Sequence, residues 1–450
     1  MTSNTTSTPY LEGSIRHHLF RMTASGGIGL LALFAVELAD LFFISLLGEQ
    51  ELAAAVGFAG AVMFFTQAMS IGLSIAVGAT VSKTLGHGNV KLASRLITSS
   101  LVLIILSAGS VTLGVWLLKD MILQSLGAQG RTLEMANMYL GIILPWLPLL
   151  SIGTAGGGVM RAKGDAKGAL WVTLSGAIVN AILDPILIFG LGWGLKGAAI
   201  ATVISRVTIF AYAVHKVVWV YKMIELPNFR ELRSDIIELN RIAIPSVLTN
   251  LATPIGIAYV TYMMAQYGDS AVAANAIISR LQMVAFVGLF ALSSVVGPIA
   301  GQNWGAGAYD RVHETLSESV RFIVIYCLLV ASVLALLTTP IVYAFQASEQ
   351  AAGLIKLFTY GLSLAYIFHG ITFATNALFN NLGAPKTSTI LNIAKATIFT
   401  VPFVWLGAEL GNAPGILIGQ ASGVVIIGLA GWYWCRRWIT ILALEKSPES

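Results

Sequence analysis

Twelve apolar runs, each long enough to cross a bilayer as a helix of about 20 residues, constrain this 450-residue chain more than any other feature. They fall near 25–47, 52–82, 96–118, 136–160, 169–192 and 197–221, then near 243–266, 273–300, 320–345, 354–379, 388–407 and 415–440. A backbone in lipid must satisfy its own hydrogen bonds, so runs of this length specify helices. Only 10% of residues are charged and 56% are hydrophobic, whereas a soluble chain carries about 25% charge. Too little polar surface exists to cover so large an apolar core, which excludes a soluble globular protein. The expected fold is an all-α polytopic membrane protein with twelve transmembrane helices.

Lys and Arg orient the chain. If the N-terminus is inside, nineteen of the 26 lie on inner segments and four (Lys119, Arg131, Lys196 and Lys356) on outer loops. Arg206, Arg280 and Lys395 lie within spans. Both ends, 1–24 and 441–450, are therefore expected in the cytoplasm, with the chain in a bacterial inner membrane. The polar start MTSNTTSTPYLEGSIRHHLFR has no apolar core and does not read as a cleaved signal. Cys327 and Cys435 sit in apolar segments and suggest neither disulfide nor metal site. No Walker A sequence is present, so ATP is not the expected energy source.

The two halves repeat. GATVSKTLGHG at 78–88 matches GPIAGQNWGAG at 297–307 in the placement of its glycines, 219 residues apart. Gly164 and Gly383 are again 219 apart; Gly48 pairs with Gly268, Gly197 with Gly415 and Pro185 with Pro402 at offsets of 220, 218 and 217. Between the copies lies 222–242, KMIELPNFRELRSDIIELNRI, read as a linker with an interfacial amphipathic helix. The expected layout is a six-helix lobe over 25–221 and a second over 243–440, related by an axis along the membrane normal.

Acids inside spans mark ion or substrate paths. Glu37 and Asp40 are three apart in the first run, and Asn180 and Asp184 four apart in the fifth, so each pair shares a helix face. Pro185 has no N–H and leaves the carbonyl of Ala181 without its helical donor, making the helix bendable there. Thr202 adds a hydroxyl. Such oxygen-rich clusters suit Na⁺ or a proton. The competing interpretation is structural, with the acids paired to a buried base such as Arg206. The repeat argues for a coupling role: Asp184, Asn180, Asp40 and Glu37 map to Val401, Thr397, Val260 and Ile257, so the second half keeps the scaffold without the acids. Tyr139 is a candidate cavity residue; Lys395 is either substrate-facing or snorkelling.

These features together resemble the multidrug and toxic compound extrusion (MATE) family, above all Asn180-x-x-x-Asp184-Pro185 and Gly197-Ala-Ala-Ile-Ala-Thr202. The resemblance covers about 20–440. It implies a cation site from Asp40, Asn180, Asp184 and Thr202, and antiport of H⁺ or Na⁺ against amphipathic, often cationic drugs by alternating access. It implies no enzyme activity, no cofactor beyond the coupling ion and no nucleic-acid partner; a monomer in the lipid bilayer is expected. NorM-like members carry acids in helices seven and ten, and here 243–266 and 354–379 have none, so the chain looks like the DinF-like branch. A lipid-linked oligosaccharide flippase of the same superfamily is the alternative; with only Arg206, Arg280 and Lys395 to line a cationic cavity, it is disfavoured. An intramembrane aspartyl protease needs Gly-x-Gly-Asp, which Ala162-Lys163-Gly164-Asp165 does not supply.

Overall fold

A computed structural model describes residues 8–47 and 49–445. Gly48 of the repeat comparison, residues 1–7 of the N-terminal segment and 446–450 of the tail lie outside the described residues. The first seven long helices are α1 (Ile15–Ser45), α2 (Gln50–Gly86), α3 (Val90–Ser125), α4 (Gly130–Ile143), α5 (Leu147–Ala162), α6 (Ala166–Pro185) and α7 (Gly194–Val214). Then follow α8 (Phe229–Ala265), α9 (Asp269–Ala285), α10 (Val287–Gly305), α11 (Tyr309–Ala344), α12 (Glu349–Tyr360), α13 (Tyr366–Asn381), α14 (Pro385–Ala396) and α15 (Val401–Glu445). No strand occurs among the described residues.

Among the described residues, ten helical stretches are long and apolar enough to cross a membrane, and α9 with α10, bent by 48°, makes an eleventh. One of the ten runs for 60 residues from Pro385 to Leu444. A straight helix of that length would span about 90 Å, three times the hydrocarbon core. The chain instead leaves helical geometry at Gly411 (φ −146°, ψ 18°) and Asn412 (φ 53°, ψ −143°) and doubles back, which gives the twelfth crossing. The returning helix packs backbone to backbone. A Cβ on Gly415 would lie 1.9 Å from the Gly407 carbonyl oxygen, and one on Gly419 2.0 Å from that of Phe403. Small residues four apart permit this approach in lipid, where van der Waals contact rather than water expulsion drives helix association.

The chain divides into two compact units, one of which contains Ile28–Val247 and the other Tyr10–Gly27 with Leu248 onward. In the first unit α8 begins at Phe229 and runs unbroken into the seventh span. The stretch 222–242 is thus a short connection followed by the opening turns of α8, and not a linker carrying its own interfacial helix. The helical period is not interrupted between Ile236 and the apolar run, and a helix end there would leave backbone groups unsatisfied. These turns dock onto α3: Asp235 is buried and accepts hydrogen bonds from Arg95 (3.0 Å) and Ser99 (2.7 Å).

In the second unit, residues 10–27 are anchored on α10 and α11. The Tyr10 N–H donates to Gln302 Oε1 at 3.1 Å, and Arg311 donates to the Tyr10 and Gly13 carbonyls at 2.8 and 3.1 Å. Arg16 forms a fork with both oxygens of Glu318, at 2.8 and 3.1 Å. Helix α1 consequently starts at Ile15, ten residues ahead of the apolar run expected from 25, because polar partners and not lipid order its first turns.

Candidate functional site

Helix α6 starts at an N-cap, Asp165, whose side chain accepts from Gly168 N at 2.7 Å. It carries Asn180 and Asp184 on one face, as their spacing requires. Asp184 is fully buried (0% exposed) and accepts a hydrogen bond from Asn180 Nδ2 at 2.7 Å. Pro185 keeps helical angles (φ −62°, ψ −31°), and the chain beyond it widens into a π-turn over Ile186–Gly190. Leu191 N donates to Ile186 O at 2.9 Å in that turn. Proline has no N–H for the α ladder, and a π-turn is one way to reorganise the bonds around it. Helix α7 passes so close that a Cβ on Gly197 would lie 2.7 Å from the Leu187 carbonyl. That approach places Thr202 beside the site.

The carboxyl groups of Asp40, on α1, and Asp184 lie within hydrogen-bonding reach of each other. Each leaves its Oδ1 buried without a protein partner. Tyr139, buried on α4, lies beside Thr202 and within electrostatic reach of Asp40. The Thr202 hydroxyl donates to Ala198 O at 3.0 Å. Glu37 is exposed: it is within electrostatic reach of Asp40 but outside the bonded cluster. The structure thus brings Asp40, Asn180, Asp184, Thr202 and Tyr139 together in the first unit and leaves Glu37 at the rim.

Arg206 does not pair with the acids. It is buried and donates to the Ile143 carbonyl at 2.8 Å. That carbonyl is free because Leu147 N turns to Leu144 O in the 3₁₀ turn between α4 and α5. The sequence signal was the proline pair in LPWLP at 144–148, which interrupts the helix. Among the described residues neither Asp40 nor Asp184 forms an ion pair. The structural interpretation of the acids therefore loses its partner. Two carboxylates at this separation repel unless a proton or a cation lies between them.

Outside the spans, Asp165 also anchors the end of the sixth one. Its Oδ2 accepts from Lys216 Nζ at 2.9 Å and from the Tyr221 hydroxyl. Burial pushes the Asp165 carboxyl up, but the bonds from Tyr221, Gly168 N and Lys216 outweigh it and hold it below the ordinary carboxylate value. Lys163 is held below its usual value by burial, against the attraction of Asp165. In the second unit, Val260, Val401 and Thr397 occupy the positions matching acids and amide in the first; of Arg280 and Lys395, which lie within its spans, Arg280 is exposed and Lys395 is buried.

A family model, MatE, matches the chain twice, over 27–186 and 245–406, and the two matched stretches begin 218 residues apart. The chain is 29% identical to a protein named FAD transporter from Shewanella oneidensis, over 95% of this chain and 96% of that one. It is 24% identical to the multidrug export protein MepA of Staphylococcus aureus, over 87% and 86% of the two chains. A solved structure of a mutant Vibrio cholerae MATE transporter, VcmN, matches with a TM-score of 0.89 at 25% identity, covering 95% of this chain and 97% of that one. With the matched region present twice and helices crossing the membrane throughout, the chain belongs to the MatE family, the multidrug and toxic compound extrusion transporters.

Proposed function

We propose that this protein is a proton-coupled antiporter of the bacterial inner membrane, with both termini in the cytoplasm, that exports amphipathic small molecules by alternating access. The observation that carries this reading is the Asp40–Asp184 pair: two carboxyl groups facing each other in a membrane-embedded lobe, with no ion-pair partner among the described residues. One proton on either carboxyl satisfies the other. A hard metal cation asks for about six oxygens, and the cluster offers Asp40, Asp184 and Thr202, because Asn180 turns its Nδ2 and not its oxygen toward Asp184. This supports H⁺ over Na⁺. The lack of acids in 243–266 and 354–379 supports the DinF-like assignment, with coupling confined to the first lobe.

Protonation removes the repulsion between α1 and α6, so the two helices can close; loss of the proton reopens them. Two states with different proton affinity are sufficient for coupling. Cargo has two readings. The relative named multidrug export protein MepA favours lipophilic cations. The relative named FAD transporter, more similar and covering more of the chain, favours a flavin nucleotide. The flippase alternative loses support, since Arg206 is committed to Ile143 O and Arg280 is exposed.

The test is transport in liposomes with a pH gradient or a Na⁺ gradient imposed separately, and with a lipophilic cationic dye or FAD as cargo. The pH gradient alone is expected to drive export. Drive by Na⁺ alone would overturn the proton assignment, and drive by neither would overturn antiport.

A further inference from the structure

Three helix interruptions in the second unit meet at one cluster of rings around a buried ammonium. Phe286 sits at the bend between α9 and α10. Tyr366 opens α13 directly after a 3₁₀ turn, Leu362–Ala365. Lys395 lies one residue before the end of α14, where Phe399 N bonds back to Ala394 O at 2.9 Å. Phe286 stacks on Tyr366 with centroids 4.1 Å apart, Tyr366 stacks on His369 at 5.2 Å, and His369 meets Phe373 edge-on at 4.6 Å. The Lys395 Nζ stands 5.9 Å from the Phe373 centroid, and His369 is within its electrostatic reach. Helices broken within a span are where membrane transporters place their substrate groups.

Lys395 is 8% exposed. Among the described residues it forms no ion pair, and the spans 243–266 and 354–379 contain no acid to reach it. A cation–π contact and the carbonyl end of α14 offset only part of the desolvation of an ammonium. A second observation points the same way. His369, Phe373, Asn376 and Asn380 recur at helical spacing along one face of α13. Asn376 and Asn380, 7% and 5% exposed, each keep a buried Oδ1 with no partner. Tyr366 and His369 are half-buried. The cluster offers a positive charge, stacking rings and unpartnered amide oxygens, and no compensating anion among the described residues.

We infer that Lys395, with the ring ladder of Phe286, Tyr366, His369 and Phe373, forms a cargo subsite for an aromatic anion that bears phosphate. The ring system of the cargo stacks on the ladder and its ring N–H donates to an amide oxygen, while its phosphate neutralises Lys395. This rests on the export reading above and gives its cargo a chemical class.

The experiment compares riboflavin with riboflavin 5′-phosphate, which share a ring and differ in charge. Binding to the purified full-length protein is measured by flavin fluorescence at equilibrium, without any gradient. Wild type should bind the phosphate ester about ten- to a hundredfold more tightly, the range of a charge-assisted bond. Lys395→Met should abolish the preference and keep riboflavin binding; Lys395→Arg should keep the preference; Phe373→Ala should weaken both ligands. Because Lys395→Met removes an uncompensated buried charge, the variant should melt no lower than wild type. No preference in wild type, or an undiminished preference in Lys395→Met, would overturn the inference. So would a lower melting temperature with loss of both ligands, since the lysine would then be structural. Binding is read at equilibrium with no gradient imposed, so a failure of the coupling reading, which the transport assay reports, leaves this measurement unaffected.

Discussion

Replacing Asp184 in two ways separates coupling from architecture. Asn at this position matches the carboxyl in shape. It still accepts from Asn180, now as a neutral bond instead of a charge-assisted one, a loss of about 1 kcal/mol. Its own N–H groups can donate to Asp40, which returns about the same amount. Asp184→Asn should therefore stay within about 1 kcal/mol of wild type, a melting shift of about 2–4 °C at most if the lobe behaves as a domain of its size. Asp184→Ala leaves Asn180 Nδ2, now bonded at 2.7 Å, without an acceptor in a buried position. An unpaired buried donor costs about 1–3 kcal/mol, and the lost side-chain volume adds to that. Stability thus ranks wild type and Asn together, with Ala below. Transport should rank differently, with both variants losing export driven by a pH gradient. Thermal unfolding in detergent and gradient-driven export in liposomes, measured on the same preparations, check both orders. If Asp184→Asn exports at the wild-type rate with the same gradient dependence, Asp184 does not carry coupling. If Asp184→Asn is as unstable as Asp184→Ala, the carboxylate is structural.

Pro185→Ala should restore an α-helical bond where the π-turn now begins and slow turnover more than it weakens cargo binding, seen as a fall in kcat with KM little changed. Asp165→Asn keeps the N-cap and the Tyr221 bond but loses the charge facing Lys216, and should cost about 1 kcal/mol at pH 7. The carboxyl is held below its ordinary value in the folded state, so its contribution is present above the unfolded value of about 3.9 and lost as pH falls through the folded one. The gap between Asp165→Asn and wild type in unfolding experiments should accordingly close below about pH 4, and a gap that widens on acidification would contradict the bonding described. Gly415→Ala forces a methyl group against the Gly407 carbonyl and should cost at least about 1–3 kcal/mol; an unchanged melting temperature would mean that the α15 hairpin packs less closely.

By itself the sequence determined what depends on neighbours a few residues away. Hydropathy over about 20 residues found the crossings, and the break at Gly411–Asn412 falls in the gap read between 388–407 and 415–440. The i, i+4 spacing put Asn180 and Asp184 on one stripe, where they are bonded. The glycine repeat foreshadowed the doubled family match. Hydropathy says nothing about how far a helix is rotated about its own axis, because every face of a buried span is apolar. That Asp40 turns toward Asp184 while Glu37, three residues earlier, stays exposed was decided by tertiary packing. So was the commitment of Arg206 to a carbonyl that a break in α4 had freed, which removed the expected base from the acids. The docking of residues 10–27 on α10 and α11 depends on Gln302, Arg311 and Glu318, about three hundred positions away along the chain. The gathering of Phe286, Tyr366 and Phe373 around Lys395 likewise joins rings and a charge from separate helices. Contacts of this kind are set by the angles at which helices cross and by where they break, and no local period in the sequence records them.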